Sequence, residues 1–141
     1  MAYAIQDDMV NRFGEDEVVA LTDRSQSGQI DATVLAGALD DASAEIDTYL
    51  AGRYTLPLTG TPRFIAGLCC DIARYRLSGS NALLSEAARD RHRDAVRFLE
   101  LAAAGKITLG EMPNGEPVQP GETIAFRQGT RIFSRDDRGG F

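Results

Sequence analysis

Oxygen-bearing side chains recur through one short stretch, Asp23-Arg24-Ser25-Gln26-Ser27-Gly28-Gln29-Ile30-Asp31-Ala32-Thr33-Val34, in the order used by an EF-hand calcium loop. Asp23, Ser25, Ser27 and Asp31 fall at loop positions one, three, five and nine, with Gly28 at six and Ile30 at eight. Calcium affinity follows ligand charge and ligand number. Both are short here: two of the four oxygens are serine hydroxyls, and Val34 stands at position twelve, where a bidentate glutamate belongs. The same residues suit a turn that hydrogen-bonds to itself and starts a helix from Asp31. The turn is the preferred reading, a degenerate calcium-binding regulatory module is the alternative, and no cofactor is expected.

Other reactive types are sparse. His92, the single histidine, lies in Arg89-Asp90-Arg91-His92-Arg93-Asp94, which reads as a solvated helix face of mixed charge with no nucleophile beside it. Cys69 and Cys70 are adjacent, so a bridge between them would be strained, and no second cysteine pair or histidine cluster completes a zinc site. They read as reduced thiols acting as small apolar residues. Asp40, Asp41 and Asp47 read as an acidic helix face. No phosphate-cradling glycine loop, nucleophile elbow or metalloprotease helix occurs in the sequence. An enzyme is not expected.

The C-terminal stretch carries a different chemistry, that of contact. Arg127, Arg131, Arg135 and Arg138 alternate there with Ile124, Phe126, Ile132, Phe133 and Phe141. Arginine and aromatic residues are enriched where proteins bury surface against each other. A tail built to stay free in solution lacks such aromatics. Partner-binding candidates are therefore Ile124, Phe126, Arg127, Arg131, Ile132, Phe133, Arg135 and Phe141. A nucleic-acid arm is a third reading, diluted by Asp136 and Asp137.

Those residues need a scaffold, and apolar spacing supplies one. Ile5, Met9 and Phe13 recur every four residues across a short helix over 6–13, which Gly14 stops. A second short helix covers 15–21. A long helix over 31–51 carries Val34, Leu35, Ala38, Leu39, Ala42, Ile46, Tyr49 and Leu50, with Asp31 as N-cap and Gly52 at its end. Thr61-Pro62 opens a helix to 78 with Ile65, Leu68, Cys69, Ile72 and Ala73 inward, and a last helix covers 84–104 before Gly105. The predicted core is Phe13, Val18, Leu21, Leu35, Leu39, Ile46, Leu50, Leu68, Ile72, Phe98 and Leu99. Strand signals are confined to 123–126 and 131–133.

The expected fold is thus all-α: a small helical bundle of three main helices plus short N-terminal helices, with an extended C-terminal arm. The body is placed at 1–109 and the arm at 110–141, because three of the five prolines and six of the fourteen glycines fall in the arm. With 141 residues, 43% of them hydrophobic, the chain fills one domain. No apolar run approaches the roughly 20 residues of a bilayer span, and 1–12 holds no secretory signal, so no membrane contact is expected. A net charge of −6 argues against a coat for duplex DNA.

Longer patterns carry a family resemblance. Tyr3-Ala4, Met9-Val10 and Arg12-Phe13-Gly14-Glu15-Asp16-Glu17 precede Leu21-Thr22-Asp23-Arg24. Ala42-Ser43-Ala44-Glu45-Ile46-Asp47, Tyr49-Leu50-Ala51-Gly52-Arg53-Tyr54 and Leu56-Pro57-Leu58 are the most specific part. Cys70-Asp71-Ile72-Ala73-Arg74-Tyr75 and Arg131-Ile132-Phe133-Ser134-Arg135-Asp136 follow. Together they resemble the Mu-like phage and prophage head–tail connector (adaptor) proteins, once catalogued as a domain of unknown function. The resemblance implies a structural adaptor that forms a homo-oligomeric ring beneath the portal of a tailed bacteriophage, dodecameric where it matches that portal. Its implied partners are the portal protein and a tail-proximal neck or tail-terminator protein, with DNA only passing through the lumen. Its implied place is the neck of the virion, after assembly in the host cytoplasm.

Overall fold

The computed structural model describes residues 2–58, 60–79, 85–110 and 117–121. Five helices follow in order: α1 (Gln6–Phe13), α2 (Glu15–Thr22), α3 (Ala32–Leu50), α4 (Arg63–Ser78) and α5 (Glu86–Ala103). The long helices α3, α4 and α5 pack against one another, and α1 and α2 lie across α3 and α4. No strand occurs among the described residues; Pro117 makes an isolated bridge. The all-helical reading holds.

Local chemistry accounts for the helix ends. Acids in the first turns of α1 and α2 (Asp7, Asp8, Glu15, Asp16, Glu17) complement the positive end of each helix. The Asp8 carboxylate also accepts the Ile5 N–H at 2.9 Å. Asp31 caps α3, accepting from the Thr33 and Val34 amides at 3.0 and 3.1 Å. The serine hydroxyl of Ser85 caps α5 at the Ala88 amide, 3.1 Å away, which starts that helix two residues later than the apolar pattern suggests. Pro62 is itself the N-cap of α4, with no side-chain cap, so the Thr61 hydroxyl does not play the expected part. At the end of α5 the Gly105 amide donates to Ala102 and the Lys106 amide to Leu101, at 3.1 and 3.0 Å. This closure requires the left-handed φ of +75° that Gly105 adopts.

The core gathers the inner stripes of all five helices. Val18, Leu35, Leu39, Ile46, Leu50, Leu68, Ile72 and Leu99 are buried as their spacing predicts, and Leu21 joins them. Phe13 and Phe98 are only half-buried and pack against the core from its edge, so their assignment to its interior is corrected. Met9, Tyr54, Ile65 and Leu109 complete it. Two buried hydroxyls of the core are satisfied within their own helices. The Ser43 hydroxyl donates to the Leu39 carbonyl at 2.7 Å; that of Thr22 donates to Val18 at 2.8 Å and accepts the Asp31 amide at 3.2 Å. The Tyr3 hydroxyl donates to Asp47, pinning the N-terminal segment to α3.

The chain beyond Gly110 does not stand clear of this core. Val118 is buried within it, its amide donating to the Gly110 carbonyl at 3.2 Å. The Gly121 amide donates to the Arg53 carbonyl at 2.9 Å, beyond the C-terminal end of α3. At these two residues the segment expected as an extended arm touches the body. Prolines and glycines hid the contact, because an irregular segment has no apolar period to reveal its inward residue. A chain ending at Gly121 should unfold at the same denaturant midpoint as the full chain. A chain ending at Gly110 should lose about 1.5–3 kcal/mol, the worth of burying one valine side chain. Equal midpoints for both would show that Val118 contributes nothing.

Candidate docking cleft

The proposed calcium turn is occupied by its own backbone. One oxygen of Asp23 accepts the Ser27 amide at 2.9 Å and the Ser27 and Ser25 hydroxyls at 3.1 and 3.4 Å; the other accepts the Gly28 amide at 2.7 Å. These bonds, the Ser27 and Gly28 amides foremost, hold the Asp23 carboxyl below the usual carboxylate range. Asp31 is likewise spent on its two capping amides. No cluster of metal-binding side chains occurs among the described residues. Asp23, Ser25 and Ser27 thus form a self-bonded turn, and Asp31 caps the helix that follows it. Calcium titration at low salt should give no heat of binding beyond dilution, and heat that disappears in Asp23→Ala would restore the metal reading.

His92 is less solvated than its neighbours suggest. Its ring stacks on Tyr75 of α4, centroids 3.9 Å apart and planes 12° from parallel. Burial pushes its pKa down; the Glu45 carboxylate opposes that shift and Arg76 adds to it. The thiols are inert for the same physical reason. Burial raises both, Cys70 to about 12, so neither is a thiolate near neutrality. Both cysteines are free, as expected.

The surface with the most to offer lies between α4 and α5. A cleft of about 750 Å³ opens there, bordered by Arg12 of α1. Phe64 and Phe98 pack ring against ring in its lining, centroids 4.6 Å apart at 56°. Phe64 is 53% exposed, an unusual position for a large aromatic on a short domain. Leu68, Gly67 and Ala95 line it, while Arg63, Arg91 and Asp94 add charge.

Asp71 lies within this cleft, buried on α4. Arg12 reaches it with two parallel bonds, Nε at 3.2 Å and Nη2 at 2.9 Å, while Arg91 Nη1 stands 3.8 Å away. Gly67 leaves room for this crossing: a Cβ there would stand 3.1 Å from Arg12 Nη1, a tight contact. The pair ties α1 to the α4–α5 unit and holds the cleft's wall in place. Arg12→Ala should cost about 1–3 kcal/mol, since it strands a buried carboxylate that Arg91 relieves only in part. An unchanged denaturant midpoint would mean that the pair is only a surface contact.

Sequence reasoning missed this site. Phe64 lies off the inward stripe of its helix, and a phenylalanine off-stripe was the available signal. The Arg12–Asp71 pairing spans 59 positions and leaves no local mark. The arm candidates Ile124, Phe126, Arg127, Arg131, Ile132, Phe133, Arg135 and Phe141 lie outside the described residues. Among the described residues no helix is long and apolar enough to cross a membrane.

Comparison with known proteins adds a second line. A family model described as Bacteriophage Mu, Gp36 matches residues 3–128. The Mu-like prophage FluMu protein gp36 of Haemophilus influenzae is 32% identical over 139 residues, which span 99% of this chain and 97% of the relative. Gene product J of Escherichia phage Mu is 36% identical over 141 residues, spanning 99% of each.

Proposed function

The chain belongs to the bacteriophage Mu Gp36 family, and from that premise we propose that it is a structural head–tail connector. It forms a homo-oligomeric ring beneath the portal and joins the capsid to the tail. The cleft between α4 and α5 carries this reading: it presents an aromatic pair, Phe64 exposed and Phe98 half-buried, beside arginines, the composition of a protein-binding hot spot. The helical body then serves as a rigid frame whose surfaces meet a portal above and a tail-proximal neck or tail-terminator protein below. Residues 124–141 contribute further contacts, DNA passes through the lumen without being read, and no catalytic step is required. The protein resides in the virion neck, after assembly in the host cytoplasm.

Whole-length similarity to phage gene products supports a phage role, and the all-helical body suits an adaptor. The calcium-module alternative loses support because both oxygens of Asp23 and one of Asp31 already accept backbone amides. Inducing a prophage that lacks this gene tests the connector. The reading expects DNA-filled heads and separate, complete tails, with joined virions restored by the gene in trans. Joined, infectious virions in its absence would overturn it.

A further inference from the structure

The cleft needs an occupant with three properties. It must bring an apolar ring for the half-exposed Phe64, anions for Arg63 and Arg91, and a cation for Asp94. Arg63 makes no ion pair among the described residues, and Arg91 reaches only the shared Asp71. One stretch of this chain matches in order: Arg131-Ile132-Phe133-Ser134-Arg135-Asp136-Asp137. Phe133 is the ring, Asp136 and Asp137 stand three and four positions after it, and Arg131 stands two before it. We propose that the α4–α5 cleft is the receptor for residues 131–137 of a neighbouring copy. Taking that neighbour from a ring makes the inference rest on the connector reading.

Reach allows a second copy, and stoichiometry favours it. The chain is tied at Gly121 to the Arg53 carbonyl just past α3. Twelve residues separate Gly121 from Phe133, and at full extension they span about 40 Å. The nineteen residues of α3, the longest helix, span only about 28 Å. Twelve residues can therefore extend past the length of the longest helix. Such a head-to-tail contact, cleft of one copy to tail of the next, is heterologous, and heterologous contacts close into a ring when the rotation between copies closes. Each copy contributes one cleft and one tail, so a closed ring leaves neither unused.

Full-length variants test this. One carries a disabled tail (Phe133→Ser, Asp136→Arg, Asp137→Arg) and an intact cleft; the other a disabled cleft (Arg63→Glu, Phe64→Ala) and an intact tail. A fluorescent peptide of residues 122–141 should bind the tail variant. Adding Arg63→Glu and Phe64→Ala to that chain should weaken binding at least about tenfold, the loss of one hot-spot contact. Mixed together, the two variants should associate in the ultracentrifuge, while each alone stays monomeric. No peptide binding, or binding indifferent to the cleft substitutions, would overturn the proposal and give the cleft to another virion protein. Peptide binding without association of the mixture would place the contact within one chain and overturn the neighbour. None of these readouts needs a virion, so the connector reading stands or falls separately, on whether heads and tails join.

Discussion

Ile46→Ala should destabilise the monomer by about 2–5 kcal/mol, read as a lower denaturant midpoint at unchanged slope. Ile46 is 0% exposed and sits on α3, which packs against both α4 and α5. Removing three carbons there leaves a cavity with walls on three helices, and rigid helices collapse into such a space poorly. Total stability of a domain this size is about 5–15 kcal/mol, so the loss is a large share of it. Thr48→Ala, on the exposed side of the same helix, should stay within about 0.5 kcal/mol. Equal effects for the two would mean that α3 presents a different face to the core.

The second large effect falls on assembly and spares folding. Phe64→Ala with Arg63→Glu removes an exposed ring and reverses an exposed charge. Folding should change by about 1 kcal/mol or less, since neither side chain is part of the core. A hot-spot loss of about 2 kcal/mol per interface is a factor of about 30 at one contact. Repeated around a closed ring it compounds, so virion yield in a complementation assay should fall by about two orders of magnitude or more. Wild-type yield from the double variant would show that the cleft contacts nothing needed for assembly.

The contrast between these two sites tracks what a sequence can carry. Ile46 was legible because helical packing writes its inward face as a repeat, and Val34 to Leu50 keep that repeat over five turns. Asp31 and Gly105 were legible because a cap is a local chemical demand that few residue types meet. The Asp23 turn shows the self-bonding that its residues predict. What stayed hidden depends on distant partners. Tyr54, Leu109 and Val118 are buried from irregular segments, where no period marks the inward residue. Phe98 shares the apolar stripe of α5, yet lies at the edge of the bundle, where the stripe continues past the core into the cleft. His92 sits among charges in sequence but against Tyr75 in space. The docking surface combines three helices, and only the fold brings Arg12, Phe64 and Phe98 together.

The central claim concerns position in the particle, and a symmetry-relaxed cryo-electron reconstruction of the virion neck tests it most directly. The account predicts a closed ring between portal and tail, each subunit fitted by the α1–α5 body described above, with density in every α4–α5 cleft. A neck whose layers accommodate no copy of this body, or copies located elsewhere in the virion, would contradict it.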